Sequence, residues 1–171
     1  MPERGRAPWH RWLFLSATVA AADLATKAWA SAAFAPGEVE AVTPFLNFVL
    51  WHNPGAAFSF LAGAGGWQRW LFIGLTVVVS TVLLVMLRRT GGNRLLATAL
   101  ALVLGGAAGN LWDRVTLGHV VDFIQLHAAG YYWPAFNVAD SAITVGVVLI
   151  LVDGFREARA NRRAGPGPGN H

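Results

Sequence analysis

Apolar runs punctuated by arginines constrain this chain more than any other feature. The clearest extends from about Trp67 to Leu87 and ends in Arg88-Arg89. At about 1.5 Å per residue, a helix of that length crosses a hydrocarbon core of ~30 Å. A Gly-Gly turn leads to a second run, Leu95 to Trp112, and an earlier one covers about Trp12 to Phe34. Composition agrees: 55% of the 171 residues are hydrophobic and 13% are charged, against roughly 25% charged in ordinary soluble domains. The length fits one domain. The chain reads as an integral membrane protein.

The basic residues fix its orientation. They fall in three clusters: Arg4, Arg6, Arg11; Arg88, Arg89, Arg94; and Arg156, Arg159, Arg162, Arg163. Ten of thirteen Lys and Arg residues lie in these clusters, the positive-inside pattern of a polytopic protein. The formal charge of +4 forms no single stripe, so no nucleic-acid partner is expected. With both termini and the Arg88–Arg94 loop cytoplasmic, parity demands a fourth span. About Ala135 to Phe155 supplies it, although Asp140 interrupts it and Asp153 ends it. The expected architecture is a four-helix transmembrane domain over 1–160, with helices near 12–34, 67–87, 95–112 and 135–155. A signal peptide is the competing reading of the first run, but Asp23 and Lys27 make a poor apolar core for one.

Two segments, 35–66 and 113–134, then face outward. PFLNFVLW in the first suggests a short strand. HVVDFIQL in the second fits a strand or a short interfacial helix. The tail 161–171, ending in AGPGPGNH, is expected to be a disordered cytoplasmic segment.

Two acids stand in apolar sequence beside the outer ends of these helices: Asp122 in GHVVDFI and Asp140 in FNVADSAITVG. An ionisable group there is costly and marks a candidate functional site. Two carboxylates brought together in a poorly hydrated place share a proton, the working state of an aspartic peptidase. Taken singly, Asp122 is also a solvated loop acid and Asp140 a helix-start residue meeting free N–H groups. Asp23 and Lys27, at i and i+4, form an internal ion pair or orient groups near the outer site. In HNPGAAFSF, Asn-Pro-Gly is a turn, the small Ala56-Ala57 pair lets another backbone approach, and Asn53 offers an amide to a peptide. In GGAAGNLWDR, Gly105 and Gly109 permit tight helix contact. Asn110, Asp113 and Arg114 read as a structural salt bridge and interhelical link or as support for the site. His52, His119 and His127 lack any metal-binding spacing. With no cysteine in the chain, neither thiolate chemistry nor a metal centre is expected.

The blocks DLATK, NPGAAFS, GGAAGNLWDRVTLGHVVDFI and FNVADSAI, in this order, resemble the lipoprotein signal peptidase (signal peptidase II) family of bacteria. That resemblance implies four transmembrane helices with a small extracytoplasmic β-cradle and an extracytoplasmic loop or short helix. It also implies an aspartic endopeptidase of the bacterial inner membrane that cleaves prolipoproteins before a diacylglyceryl-modified cysteine. The implied catalytic pair is Asp122 and Asp140. Asp23, Lys27, Asn53, Gly55, Asn110, Asp113, Arg114 and Asn137 are implied as substrate-binding or supporting residues. His52 stands where relatives often carry Arg. The implied partners are prolipoprotein substrates and membrane lipids, with a monomer expected. A proton-coupled transporter using Asp23, Lys27 and Asp140 as a relay is the rival reading. It predicts charges along the whole path, whereas this chain gathers them at the outer end. A structural assembly partner would leave the two acids unexplained.

Overall fold

The computed structural model describes residues 8–55 and 65–164. Its elements run α1 (Arg11–Ala33), β1 (Val39–Thr43), β2 (Leu46–Asn53), α2 (Trp67–Arg88), α3 (Arg94–Thr116), β3 (Val120–Ala128), β4 (Tyr131–Tyr132) and α4 (Val138–Ala164). The strands form one antiparallel sheet in the order β1-β2-β3-β4.

Helix α3 is the hub, packed against α1, α2 and α4. Small residues let it sit there. A Cβ on Gly105 would lie 2.6 Å from the Ser16 carbonyl oxygen of α1, and one on Gly106 would strike the Ala139 carbonyl of α4. A Cβ on Gly109 would strike the Asp23 carboxylate. Backbones approach this closely only where no side chain intervenes. Below them, Leu83, Leu87, Ala97, Leu100 and Val103 make the apolar core.

These contacts order the helices along their length. Ser16 Oγ donates to the Ala101 carbonyl at 2.9 Å, and Lys27 meets Asn110 and Asp113 further on, so α1 and α3 run parallel. Helices α2 and α4 run against them. Arg69 near the start of α2 donates to Val115 late in α3, and Arg88 at its end lies 4.8 Å over the Trp9 ring. On α4, Asp140 bonds Asn110, while Asp153 accepts from Asn93 at 2.9 Å, beneath the α3 N-cap. The sheet therefore sits at one end of an up-down bundle, and Arg11, Arg88, Arg89, Arg94 and the arginines of the α4 extension at the other.

Three helices, α2, α3 and α4, are long and apolar enough to cross a membrane. Helix α1 carries Asp23 and Lys27, buried, in its second half. The outward faces of α2 and α4 expose Leu75, Val78, Val82, Val148, Leu151 and Phe155. Such a band is an aggregation hazard in water and the natural surface against lipid.

Several boundaries depart from the sequence reading. Helix α3 continues through Asp113 and Arg114 to Thr116 instead of ending at Trp112. Helix α4 starts at Val138 rather than Ala135, and it runs past Phe155 to Ala164, so residues 161–164 are helical and not a disordered tail. Arg156, Arg159, Arg162 and Arg163 are exposed along this extension. HVVDFIQL forms strand β3, not a helix. Strand β1 was not anticipated in the sequence.

Candidate active site

The start of α4 places the first candidate acid. Asn137 stands just before Val138, and its Oδ1 accepts from the Asp140 N–H at 2.9 Å. In return Asp140 Oδ2 accepts from the Asn137 N–H at 3.3 Å. This reciprocal cap satisfies two N–H groups that no helical carbonyl reaches. It also fixes the Asp140 carboxylate. Its other oxygen, Oδ1, accepts from Asn110 Nδ2 at 2.8 Å, tying α4 to α3.

Strand β3 places the second. The Phe136 carbonyl accepts from the Phe123 and Ile124 N–H groups, and the Phe136 N–H donates to the Ile124 carbonyl at 2.9 Å. That bridge lays the segment before α4 against β3, so Asn137 Nδ2 reaches Asp122 Oδ1 at 2.8 Å. From β2, Asn53 Nδ2 donates to Asp122 Oδ2 at 3.1 Å. The pairing needs an irregular strand. Phe48 faces Ile124 and Trp51 faces Asp122, so the register slips by one residue between them. Without that bulge, strict alternation would turn Asn53 to the opposite face.

Asp122 is 4% exposed. Burial, and then the charge of Asp140, push its carboxyl up to about 7, against the pull of the Asn53 and Asn137 amides. Desolvation disfavours the charged form, and a second carboxylate adds repulsion.

Beneath the pair lies a buried charge cluster. Lys27 Nζ contacts Asp23 Oδ2 at 2.7 Å, Asp113 Oδ2 at 2.9 Å and Asn110 Oδ1 at 2.9 Å, so all three ammonium protons are spent. Asp23 Oδ1 accepts from the Ala139 N–H at 2.8 Å, a cap on α4 supplied by α1. Asp113 Oδ2 also accepts from the Val121 N–H at 3.1 Å. Asp23 is thus both an ion-pair partner and a positioner of the helix that carries Asp140. Arg114 donates to the Gly55 carbonyl at 3.0 Å and to the Asn110 carbonyl at 3.3 Å. Asn53 Oδ1 accepts from the Gly55 N–H at 3.0 Å, closing the Asn-Pro-Gly turn.

All ten candidate residues therefore meet in one connected network. Asn53, Asn110 and Asn137 hold the candidate carboxylates through their side-chain amides. The Ala56-Ala57 approach surface lies outside the described residues.

A cavity of about 730 Å³ opens on this network, within the range of ligand pockets. Asp122, Asp140, Asn53, Asn110 and Arg114 line one side. The apolar remainder includes Trp51, Leu126, Phe136, Ile143 and Val145. Sequence reasoning missed the Trp133–Phe136 wall, Ser141 and Thr144. Spacing held a clue to one of the last two, because Thr144 follows Asp140 by four residues and shares its helix face. His52, also in the lining, packs against His119 with ring centroids 4.2 Å apart and the planes tilted by 30°. Burial and then His52 depress the His119 pKa.

Known proteins resemble this one closely. Residues 15–156 match the family described as Signal peptidase (SPase) II. The lipoprotein signal peptidase of Paraburkholderia phytofirmans is 51% identical over 151 residues, 88% of each chain. That of Burkholderia mallei is 50% identical over 151 residues, covering 88% of this chain and 91% of its own. Two solved structures, both described as bacterial membrane enzymes, share the fold. One superposes with a TM-score of 0.81 at 29% identity over 95% of both chains. The other gives 0.74 at 32% identity, over 84% of this chain and 92% of that one.

Proposed function

The chain belongs to the signal peptidase II family and removes signal peptides from prolipoproteins; we propose that it does so as an aspartic endopeptidase with Asp122 and Asp140 as the catalytic pair. One observation carries this reading. Both carboxylates line a single cavity, held by amides, and among the described residues neither is ion-paired. Lys27, the nearby ammonium, is committed to Asp23 and Asp113.

In this reading the proton shared by the pair is carried by Asp122, whose carboxyl burial and its neighbour push up to about 7. Asp140 takes a proton from the attacking water. Asp122 donates to the scissile carbonyl oxygen as a tetrahedral diol forms. The carbon–nitrogen bond then breaks as Asp122 takes back a proton from a diol hydroxyl and Asp140 passes its acquired proton to the leaving amine of the cysteine. Proton transfers of this kind contribute typically 10²–10⁴-fold. The two acids titrate as a unit, so any measured pKa values belong to the pair.

The cleaved bond precedes a diacylglyceryl-modified cysteine, and the apolar cavity wall suits a substrate that arrives laterally with its acyl chains in the bilayer. Helix α1 is the fourth span, parallel to α3, with its charges turned inward. Both termini and the arginine clusters lie in the cytoplasm, and the site lies near the outer leaflet. The enzyme works as a monomer in contact with membrane lipid.

The test is cleavage of a diacylglyceryl-modified precursor, followed by mass. Asp122→Asn and Asp140→Asn should each lose at least about 10³-fold in rate, with an unchanged circular dichroism spectrum. Appreciable cleavage by either variant would remove the pair from the chemistry.

A further inference from the structure

We propose that Thr144 forms a subsite for the glyceride ester of the substrate lipid, its hydroxyl donating to an ester carbonyl while the pair cuts the peptide. The inference rests on the prolipoprotein reading of the site above.

The observation is an uncommitted hydroxyl. In the other helices each threonine turns its Oγ1 back to the carbonyl four residues earlier. Thr18 bonds Phe14, Thr26 bonds Ala22, Thr76 bonds Phe72, Thr81 bonds Val77, Thr98 bonds Arg94 and Thr116 bonds Trp112. Back-bonding is the usual way a helix spares a hydroxyl from apolar surroundings. Thr144 has no hydrogen-bond partner among the described residues, and it lines the cavity. Ser141, the other hydroxyl on that wall, is already committed to the Asn137 carbonyl at 3.0 Å. Thr144 is exposed on that wall, so its hydroxyl is open to a polar acceptor carried by the ligand.

Position selects the acceptor. Thr144 follows Asp140 by one turn, about 6 Å further along α4 toward the bilayer centre. In a diacylglyceryl-cysteine the ester carbonyls hang a few bonds beyond the sulfur, on the side leading into the acyl chains. With the scissile carbonyl at the pair, an ester carbonyl comes level with Thr144, and the chains continue along the apolar wall.

The experiment compares two synthetic lipopeptides that differ only in the glyceryl linkage, diacyl ester or dialkyl ether. An ether offers no carbonyl. The parent enzyme should prefer the ester by about 3–10-fold in kcat/KM, the size of one hydrogen bond. Thr144→Val should reduce that ester-to-ether preference to near unity, and Thr144→Ser should restore it. A parent with no preference would overturn the subsite, as would a Thr144→Val enzyme that keeps the parental preference. Cleavage of neither lipopeptide by the parent would overturn the reading of the site as well.

Discussion

Protonation of Asp122 governs two measurable pH dependences. The proposed mechanism needs one proton on the pair, so kcat/KM should fall on the alkaline side with an apparent pKa near 7. A pH profile flat to pH 9 would contradict a proton held at Asp122. Stability changes with the opposite bookkeeping from that of an ordinary salt-bridged acid. The folded-state pKa lies above the unfolded value, so the folded protein binds more protons between about pH 4 and pH 7. Ionising the buried group therefore destabilises the fold as pH rises through that window, by about 4 kcal/mol at most. Asp122→Asn removes this penalty. Relative to the parent, its melting temperature should improve steadily from pH 4.5 to pH 8, and an unchanging difference would sink the argument. The two acids were legible in the sequence because each stands among apolar neighbours. Their partners were harder to read. An asparagine offers an amide to almost anything, and nothing in FNVADS reveals that Asn137 caps a helix with one oxygen and reaches Asp122 with its nitrogen.

Glycines in α3 carry the element-scale argument. A Cβ at 106 would meet the Ala139 backbone, which cannot rotate away, so Gly106→Ala must push α4 off α3. Asp140 sits one residue from that contact and is tied to Asn110. A displacement of about 1 Å in a catalytic group costs on the order of 10²-fold in rate, and overpacking costs roughly 1–3 kcal/mol of stability. Gly154→Ala on the same α4 meets nothing within 4 Å and should be neutral or stabilising by about 0.5–1 kcal/mol, as alanine suits a helix interior better. Measured kcat/KM and melting temperatures of both variants check the contrast, and equal behaviour would refute it. Helices α2 and α3 were legible because long apolar runs admit little else. Strand β1 was not, since VEAVT is short, exposed and interrupted by glutamate. The bulge in β2 was also hidden. An alternating pattern reports a face only while the register is unbroken, and the slip between Phe48 and Trp51 is imposed by pairing with β3.

At the scale of the whole molecule, α1 decides the topology. Its 23 residues span about 35 Å, enough to cross, but Asp23 and Lys27 lower its apolar character. Those charges do not face lipid. Asp23 is fully buried and Lys27 is 3% exposed, and their partners come from α3 and α4. In the proposed four-span topology the cost of carrying charge through a membrane is met inside the bundle, where burial of a paired cluster replaces contact with hydrocarbon. Removing the cation exposes the dependence. Lys27→Met leaves Asp23 and Asp113 buried without a counter-charge and should cost about 3–5 kcal/mol, read as a loss of thermal stability. Because α1 lies parallel to α3 along its length, the proposed topology has the two cross together. The absence of cysteine from the sequence makes this directly testable. Single cysteines at His10, before α1, and at Glu157, late in α4, should react with an impermeant maleimide only after the cells are opened. One at Glu40, on β1, should react in intact spheroplasts. Labelling of His10→Cys from outside would mean that α1 does not cross. The buried Asp23–Lys27 pair would then need a different explanation.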